Sequence, residues 1–334
     1  MAARDELIAG VGNSREMAGR LLLVLVLAAG CTTPQPAATS APATSTASAA
    51  SATTSPPDTT STTTSTPTTT PTTTTATPEA YPGESRGACR PDPFAGSVAA
   101  DLANRYPGRD LTAHIFDLRT GCEYSLNPGN RQNTASVFKV MVMAGTLLEA
   151  QNSEREVTES EMSRLVPMIT ESANWPVRSL WHSFGASPWF RETGEIFGLA
   201  QTSITADGGS AWGATKTSAS DQVNLLHQVL LGRGGLLDED SREVALGLMT
   251  SVVPSQTWGV TAGVPGSWTV AQKNGFAGRI INSVGWVDPA GEDDGYLVAI
   301  LTYGWPNHPA GIEAVERISV LVANSMIDTV PGVE

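Results

Sequence analysis

The sequence predicts an α+β domain: one antiparallel sheet with the terminal helices packed on it, beside an all-helical part. Segments of strand character lie near both ends of the folded region, and an unbroken series of helical patterns lies between them. The first quarter of the chain has a composition that cannot build a core, which leaves residues 86–330 as one large domain. Strands that are far apart in sequence join most simply into one sheet with short connections.

The elements follow in order. Residues 93–106 read as a first helix, with Phe94, Val98, Leu102 and Tyr106 recurring every fourth position and a proline in the first turn, where its missing N–H costs nothing. Leu111–Asp117 is a strand, and Arg119-Thr120-Gly121 turns the chain into a second at Cys122–Leu126. Ala135–Ala150 is a central helix with no polar stripe at its start, as expected of a buried one. Helical patterns continue over Ser160–Thr170, Asn174–Phe184, Pro188–Phe197, Ala219–Leu231 and Glu239–Thr250. The period then changes. Trp268–Gln272, Ile280–Val287 and Gly295–Tyr303 read as three strands, and an amphipathic helix over Gly311–Met326 closes the domain.

The N-terminal quarter reads as an address and a spacer. Leu21–Ala29 is apolar but too short to span a bilayer, which fits the core of a signal peptide over residues 1–31. Leu27-Ala28-Ala29-Gly30-Cys31 resembles a bacterial lipobox and makes Cys31 the expected site of lipid attachment. Met17 is the expected translation start, because Asp5, Glu6 and Glu16 dilute the positive region before the apolar core. From Thr32 to Ala80 only Gln35, Asp58 and Glu79 are not Thr, Ser, Pro or Ala. Residues 32–85 therefore have almost nothing to bury and are expected to form a disordered stalk, which at ~3.1 Å per residue reaches on the order of 150 Å. Such Ser/Thr/Pro richness fits O-glycosylation. The expected location is the cell envelope, with the chain exported and lipid-anchored to the outer face of the cytoplasmic membrane.

A formal net charge of −13 with no basic cluster argues against nucleic acid as a partner. With Cys31 assigned to lipid, Cys89 and Cys122 remain; in an exported chain this even remainder points to a disulfide, the alternative being two free or buried thiols. His114, His182, His227 and His308 are scattered without metal-ligand spacing, so neither a metal nor another cofactor is expected. The domain is expected to act as a monomer on a small-molecule or peptide substrate.

The chemistry concentrates on lysine. Of 20 basic residues only Lys139, Lys216 and Lys273 are lysines. An ammonium loses its proton readily on burial, whereas a guanidinium in practice does not. Lys139 closes Ser136-Val137-Phe138-Lys139 at the start of the apolar helix, where burial lowers its pKa and suits it to act as a general base. Ser136 sits three residues earlier on the same face, beside the orphan N–H groups of the helix start, which Thr134 or Ser136 itself is expected to cap. Chance gives roughly 0.3 Ser-x-x-Lys matches at this composition, so the motif needs company. Lys273-Asn274-Gly275, at the end of the first late strand, and Ser172-Ala173-Asn174 supply it. Lys216 reads as a surface charge.

This set resembles the class A β-lactamase and penicillin-binding-protein superfamily of serine hydrolases over roughly residues 90–328. Ser136-Val137-Phe138-Lys139 matches the first motif of that superfamily. Ser172-Ala173-Asn174 matches Ser-Asp-Asn with Ala in the middle, and Lys273-Asn274-Gly275 matches Lys-Thr-Gly with Asn in the middle. The resemblance implies a β-lactamase/transpeptidase-like fold and a role for each residue. Ser136 is the nucleophile and Lys139 its base. Ser172 relays a proton to the leaving group, while Lys273 holds that hydroxyl and attracts a substrate carboxylate. Asn174 and Asn274 bind substrate, and Gly275 lets substrate lie against the strand. The backbone N–H groups of Ser136 and Phe276 form the oxyanion hole.

One element of the pattern is missing. Class A enzymes carry Glu-x-x-Leu-Asn in a loop whose glutamate activates the hydrolytic water, and Leu199–Thr217 contains no glutamate. Asp207 is the lone acid there and reads as a turn residue. Three readings stay open: an envelope-anchored serine hydrolase acting on a β-lactam, peptide or ester; an efficient class A-type β-lactamase with an atypical base; and a non-catalytic cell-wall or ligand-binding module. The eight tryptophans all follow residue 174, and Trp175, Trp212 and Trp258 are the candidates to line a cleft.

Overall fold

Strands from the two ends of the domain do share one sheet. The computed structural model describes residues 88–204, 211–289 and 295–327. The signal segment, Cys31, the stalk, Asp207 and the last residues of the domain lie outside them. Five antiparallel strands run in the order β2-β1-β7-β6-β5, comprising β1 (Asp110–Asp117), β2 (Glu123–Leu126), β5 (Thr269–Ala277), β6 (Ile280–Asp288) and β7 (Tyr296–Tyr303). The full-length pairing of β1 with β7, Asp110 opposite Tyr303 through Asp117 opposite Tyr296, joins the early hairpin to the late meander. β2 and β5 are the two edges of the sheet.

Nearly every residue of β1, β6 and β7 is buried, so both faces of the sheet are covered and the apolar runs are continuous. On one face, α1 (Val98–Arg105) and α8 (His308–Met326) pack Leu102, Val315, Ile318 and Val322 against Ile115, Val298 and Ile300. The helical middle covers the opposite face. Its core combines Val140, Met143 and Leu147 of α2 (Phe138–Asn152) and Leu226 and Val229 of α6 (Ala219–Leu231) with Phe116, Leu297 and Leu301 of the sheet. Helix α6, with α2, thus lies against the sheet as a third layer, and the rest of the all-helical part stands beside it. α3 (Glu159–Thr170), α4 (Trp175–Ser183), α5 (Ser187–Ile196) and α7 (Glu239–Thr250) complete it. Their bounds fall within a few residues of the periodicity, and α3 starts on a full Thr158/Glu161 capping box.

Three expectations are corrected. The segment 93–97 is a turn, and α1 begins only at Val98. β5 runs on to Ala277, so Lys273-Asn274-Gly275 lies inside a strand and not at its end. A second small sheet pairs β3 (Arg131–Asn133) with β4 (Lys216–Ser218), two segments too short and too polar to give an alternation signal. Cys89 and Cys122 form the disulfide, with Cα atoms 5.7 Å apart. It ties the start of the domain to β2 across a 33-residue separation, which is worth roughly 3–4 kcal/mol on the loop-entropy account. Among the described residues no helix is long and apolar enough to cross a membrane.

Candidate active site

The loop that carries Ser136 is held from several sides. Ser136 lies in a short 3-10 turn, Ala135–Val137, that leads directly into α2. Ala135 has φ 45°, a left-handed value that alanine seldom adopts and that lifts the serine out of the helical path. Neither Thr134 nor Ser136 caps the turn or α2 with a side chain. Thr134 instead directs its Oγ1 to the Gly213 carbonyl at 3.4 Å, and its N–H donates to the Thr215 carbonyl at 2.8 Å. From below, fully buried Asn282 of β6 donates its Nδ2 to the carbonyls of Asn133 and Thr134 at 2.9 and 3.0 Å and accepts the Thr302 N–H at 2.9 Å. Asn282 positions the loop and was missed by sequence reasoning; its signal is an amide inside a mostly apolar, fully buried strand.

Lys139 is one helical turn further on and fully buried. Its Nζ has four oxygen neighbours: Ser136 Oγ at 2.9 Å, the Ser172 carbonyl at 2.5 Å, Ser172 Oγ at 3.2 Å and Asn174 Oδ1 at 2.8 Å. The carbonyl and the amide oxygen can only accept. A neutral amine satisfies both with its two N–H bonds and keeps a lone pair for a hydroxyl proton from Ser136. Burial pushes the lysine pKa down from 10.5 to about 7, so this neutral form is well populated near neutrality. The opposite side of Nζ faces the ring of Trp212 at 5.2 Å.

Ser172 and Asn174 arrive from the end of α3. The helix stops at Thr170, and Ser172 takes φ 62°, the left-handed C-terminal position usually given to glycine. The strain places both the carbonyl and the hydroxyl of Ser172 on Lys139. On its other side the Ser172 hydroxyl meets Lys273 Nζ at 2.9 Å, so one oxygen bridges the two lysines. Lys273 is 1% exposed and also donates to the Asn274 carbonyl at 2.9 Å. Burial first, then the charge of Lys139, holds its pKa well below the ordinary lysine value.

Two residues expected at the substrate face elsewhere. Strand alternation turns the Asn274 side chain away from Lys273 and Gly275. Its Nδ2 donates to the carbonyls of Gln256 and Trp258 at 2.7 and 2.9 Å, and its Oδ1 accepts from Ser283 Oγ at 2.6 Å. With 1% exposure, Asn274 is an internal brace and not a substrate ligand. Gly275 makes room for the protein itself. A Cβ there would stand 2.9 Å from the backbone nitrogens of Ser136 and Val137, so the missing side chain lets β5 close onto the nucleophile loop.

Ser136, Asn174 and Phe276 line one cleft of about 320 Å³, with Trp212 and Gly213 opposite. Asn174 has its Oδ1 taken by Lys139, which leaves Nδ2 as a donor for a ligand carbonyl. Of the three candidate tryptophans, Trp212 lines this cleft; Trp175, next to Asn174 in sequence, is 58% exposed and is not among the lining residues. Lys216 is exposed, as a surface charge should be. Among the described residues no group of three His, Cys, Asp or Glu side chains is arranged to hold a metal ion. Of the loop expected to carry a hydrolytic base, residues 199–204 and 211–217 are described, and they contain no carboxylate.

Residues 164–326 match the family model of the β-lactamase enzyme family. The matched span holds Ser172 and Lys273 and begins after Ser136 and Lys139. The fold is β-lactamase-like. Solved structures agree on the fold. PBP-A superposes with a TM-score of 0.61 at 20% identity, covering 69% of this chain and 95% of that one. A β-lactamase from Xanthomonas campestris pv. campestris gives 0.59 at 18% identity over 68% and 95%, and one from Desulfarculus baarsii 0.60 at 16% over 69% and 96%. No curated protein matches the sequence. On this β-lactamase-like frame the Ser-x-x-Lys turn, the α3 end and the edge strand β5 meet at one cleft, as the resemblance implies.

Proposed function

We propose that the chain is a serine hydrolase that forms an acyl-enzyme at Ser136, held in the cell envelope by lipid on Cys31 and spaced from the membrane by the stalk. The observation that carries this reading is the contact of Ser136 Oγ with a buried, readily neutral Lys139 at 2.9 Å. The Ser136 oxygen attacks the carbonyl carbon of an ester, peptide or β-lactam while its proton passes to Lys139 Nζ. The carbonyl π electrons move to an oxyanion facing the N–H groups of Ser136 and Phe276. On collapse the bond to the leaving group breaks, and a proton reaches that group through the Ser172 hydroxyl, which touches both lysines. Asn174 orients the substrate through its free Nδ2. A solved structure of a PBP-A variant is itself an acyl-enzyme complex with penicillin G, which supports this chemistry for the fold.

An efficient β-lactamase would need a base for water in the second half-reaction, and Lys139 touches no carboxylate among the described residues. We therefore favour slow release. The test is intact-mass measurement of the full chain after exposure to a fluorophosphonate or penicillin G. One adduct, mapped to Ser136 and absent from Ser136→Ala, is expected. Folded protein that takes up neither reagent would point to a binding module, and rapid turnover of a chromogenic cephalosporin would point to the efficient β-lactamase.

A further inference from the structure

Among the described residues, the cleft beside Ser136 carries no charged side chain. One wall is Trp212, Gly213 and Ala214, and the other is Phe276, Ala277 and Ile280. The polar side chains that line it are neutral: Asn133, Ser136 and Asn174. The cations nearby are committed elsewhere. Lys139 and Lys273 are at most 1% exposed and engaged with Ser172 and its neighbours. Arg279, in the turn after β5, donates to the Gly304 carbonyl at 2.9 Å and stacks over Tyr303. Lys216, although opposite Asn133 in the β3–β4 pair, does not line the cleft. The Asn274 side chain is also withdrawn, with its amide donors on Gln256 and Trp258. A carboxylate entering this cleft would lose its hydration with no cation in contact, inside a chain of net charge −13.

The apolar surface points the other way. Phe276, which lines the cleft, is 45% exposed, and its ring meets that of His308 edge to face with centroids 3.9 Å apart. Trp175 is 58% exposed beside Asn174. Large apolar groups left open around a nucleophile gain most by covering an apolar ligand.

We propose that the acyl donor for Ser136 is an uncharged ester or amide with an apolar acyl chain lying between Trp212 and Phe276, and not the carboxylate-bearing substrate that the resemblance implies. This rests on Ser136 acylation as proposed above. In the step, Ser136 Oγ bonds to the acyl carbon, the acyl–oxygen or acyl–nitrogen bond to the leaving group breaks, and the serine proton ends on the leaving group. Water later cleaves the acyl–Oγ bond, releasing a carboxylic acid and restoring the serine hydroxyl.

The test compares two probes with the same leaving group on the full chain: p-nitrophenyl hexanoate, and the mono-p-nitrophenyl ester of adipic acid, which ends in a carboxylate. The neutral ester is expected to acylate Ser136 at least ~30-fold faster, because only the charged chain must enter unpaired. Phe276→Ala, which keeps the backbone N–H, is expected to slow the hexanoyl ester by about 10-fold and the acetyl ester by less than about 3-fold. Equal rates, or a faster anionic ester, would overturn the proposal and leave the serine hydrolase standing. Labelling by a fluorophosphonate but by neither ester would also overturn it. If no reagent labels Ser136, the acylation reading itself fails and this proposal falls with it.

Discussion

The two sides of the cleft are built to different standards. On the side of Ser136, the polar atoms of the proposed machinery have partners: Lys139 on Ser136, Ser172 and Asn174, and Lys273 on Ser172. The loop is also braced through Asn282 and the missing side chain of Gly275. Across from it Lys139 faces no carboxylate among the described residues but the ring of Trp212, which stacks in turn on Phe138. An aromatic face favours a nearby cation slightly, but it cannot take a proton from water. The contrast separates two half-reactions that are usually discussed together. Forming an acyl-enzyme needs a nucleophile, a base at hydrogen-bond distance and an oxyanion site; releasing it needs a second, correctly placed base for water.

The largest expected effect follows directly. With an activated ester in excess, the full chain should release leaving group in a burst of one equivalent, followed by a steady phase at least ~100-fold slower. That factor is at the low end of what a placed general base contributes. Stopped-flow absorbance measures both phases, and intact mass should show the adduct persisting through the second. Absence of a burst, with fast linear turnover, would mean that a base acts from outside the described part of the loop.

The next effect tests the Ser136 side through its proton. Lys139 must be neutral to accept a proton, and its pKa lies at about 7. The acylation rate should therefore fall tenfold per pH unit below about 7 and level off above it. Lys139→Arg, which stays charged, should lose acylation at every pH. The same shift affects stability with a defined sign. Between about 7 and 10.5 the unfolded chain holds a proton on this lysine that the native state lacks, so stability rises with pH across that window. Below about 7 the native lysine is protonated too, and the cost of burying it stays constant. A flat acylation profile from pH 5 to 8 would remove Lys139 from the role of base.

Much of this was legible in the sequence because the signals were local. A nine-residue run of strand character or a helix without a polar stripe is set by nearest-neighbour periodicity, and both sheet and central helix followed from it. Scarce lysines picked out Lys139 and Lys273, which the structure brings together on the Ser172 hydroxyl. What stayed hidden depends on which side of a strand a residue takes and on what packs there. Lys273, Asn274 and Gly275 are adjacent, yet alternation sends the first and third toward Ser136 and the second into the interior toward Gln256 and Trp258. The β3–β4 pair was equally invisible, since three-residue strands of polar residues exist only by virtue of each other.

Gly275 offers the smallest effect and the finest discrimination. Two roles for its missing side chain make different predictions. If it clears space for substrate, Gly275→Ala should hinder bulky acyl donors, spare small ones and leave the folded state untouched. The structure gives the other role, because the added Cβ would meet the nitrogens of Ser136 and Val137 at 2.9 Å and the Thr134 carbonyl at 3.0 Å, all backbone atoms that cannot swing aside. Relief requires β5 or the nucleophile loop to shift by several tenths of an ångström, at a cost of about 1–3 kcal/mol for overpacking. Gly275→Ala should then lower the melting temperature by several degrees and slow acylation by about 10-fold for acetyl and hexanoyl esters alike, since displacement of the serine penalises every substrate equally. Thermal melts and burst rates on the two esters separate the cases. A loss confined to the longer ester, with an unchanged melt, would return Gly275 to the substrate side of the cleft.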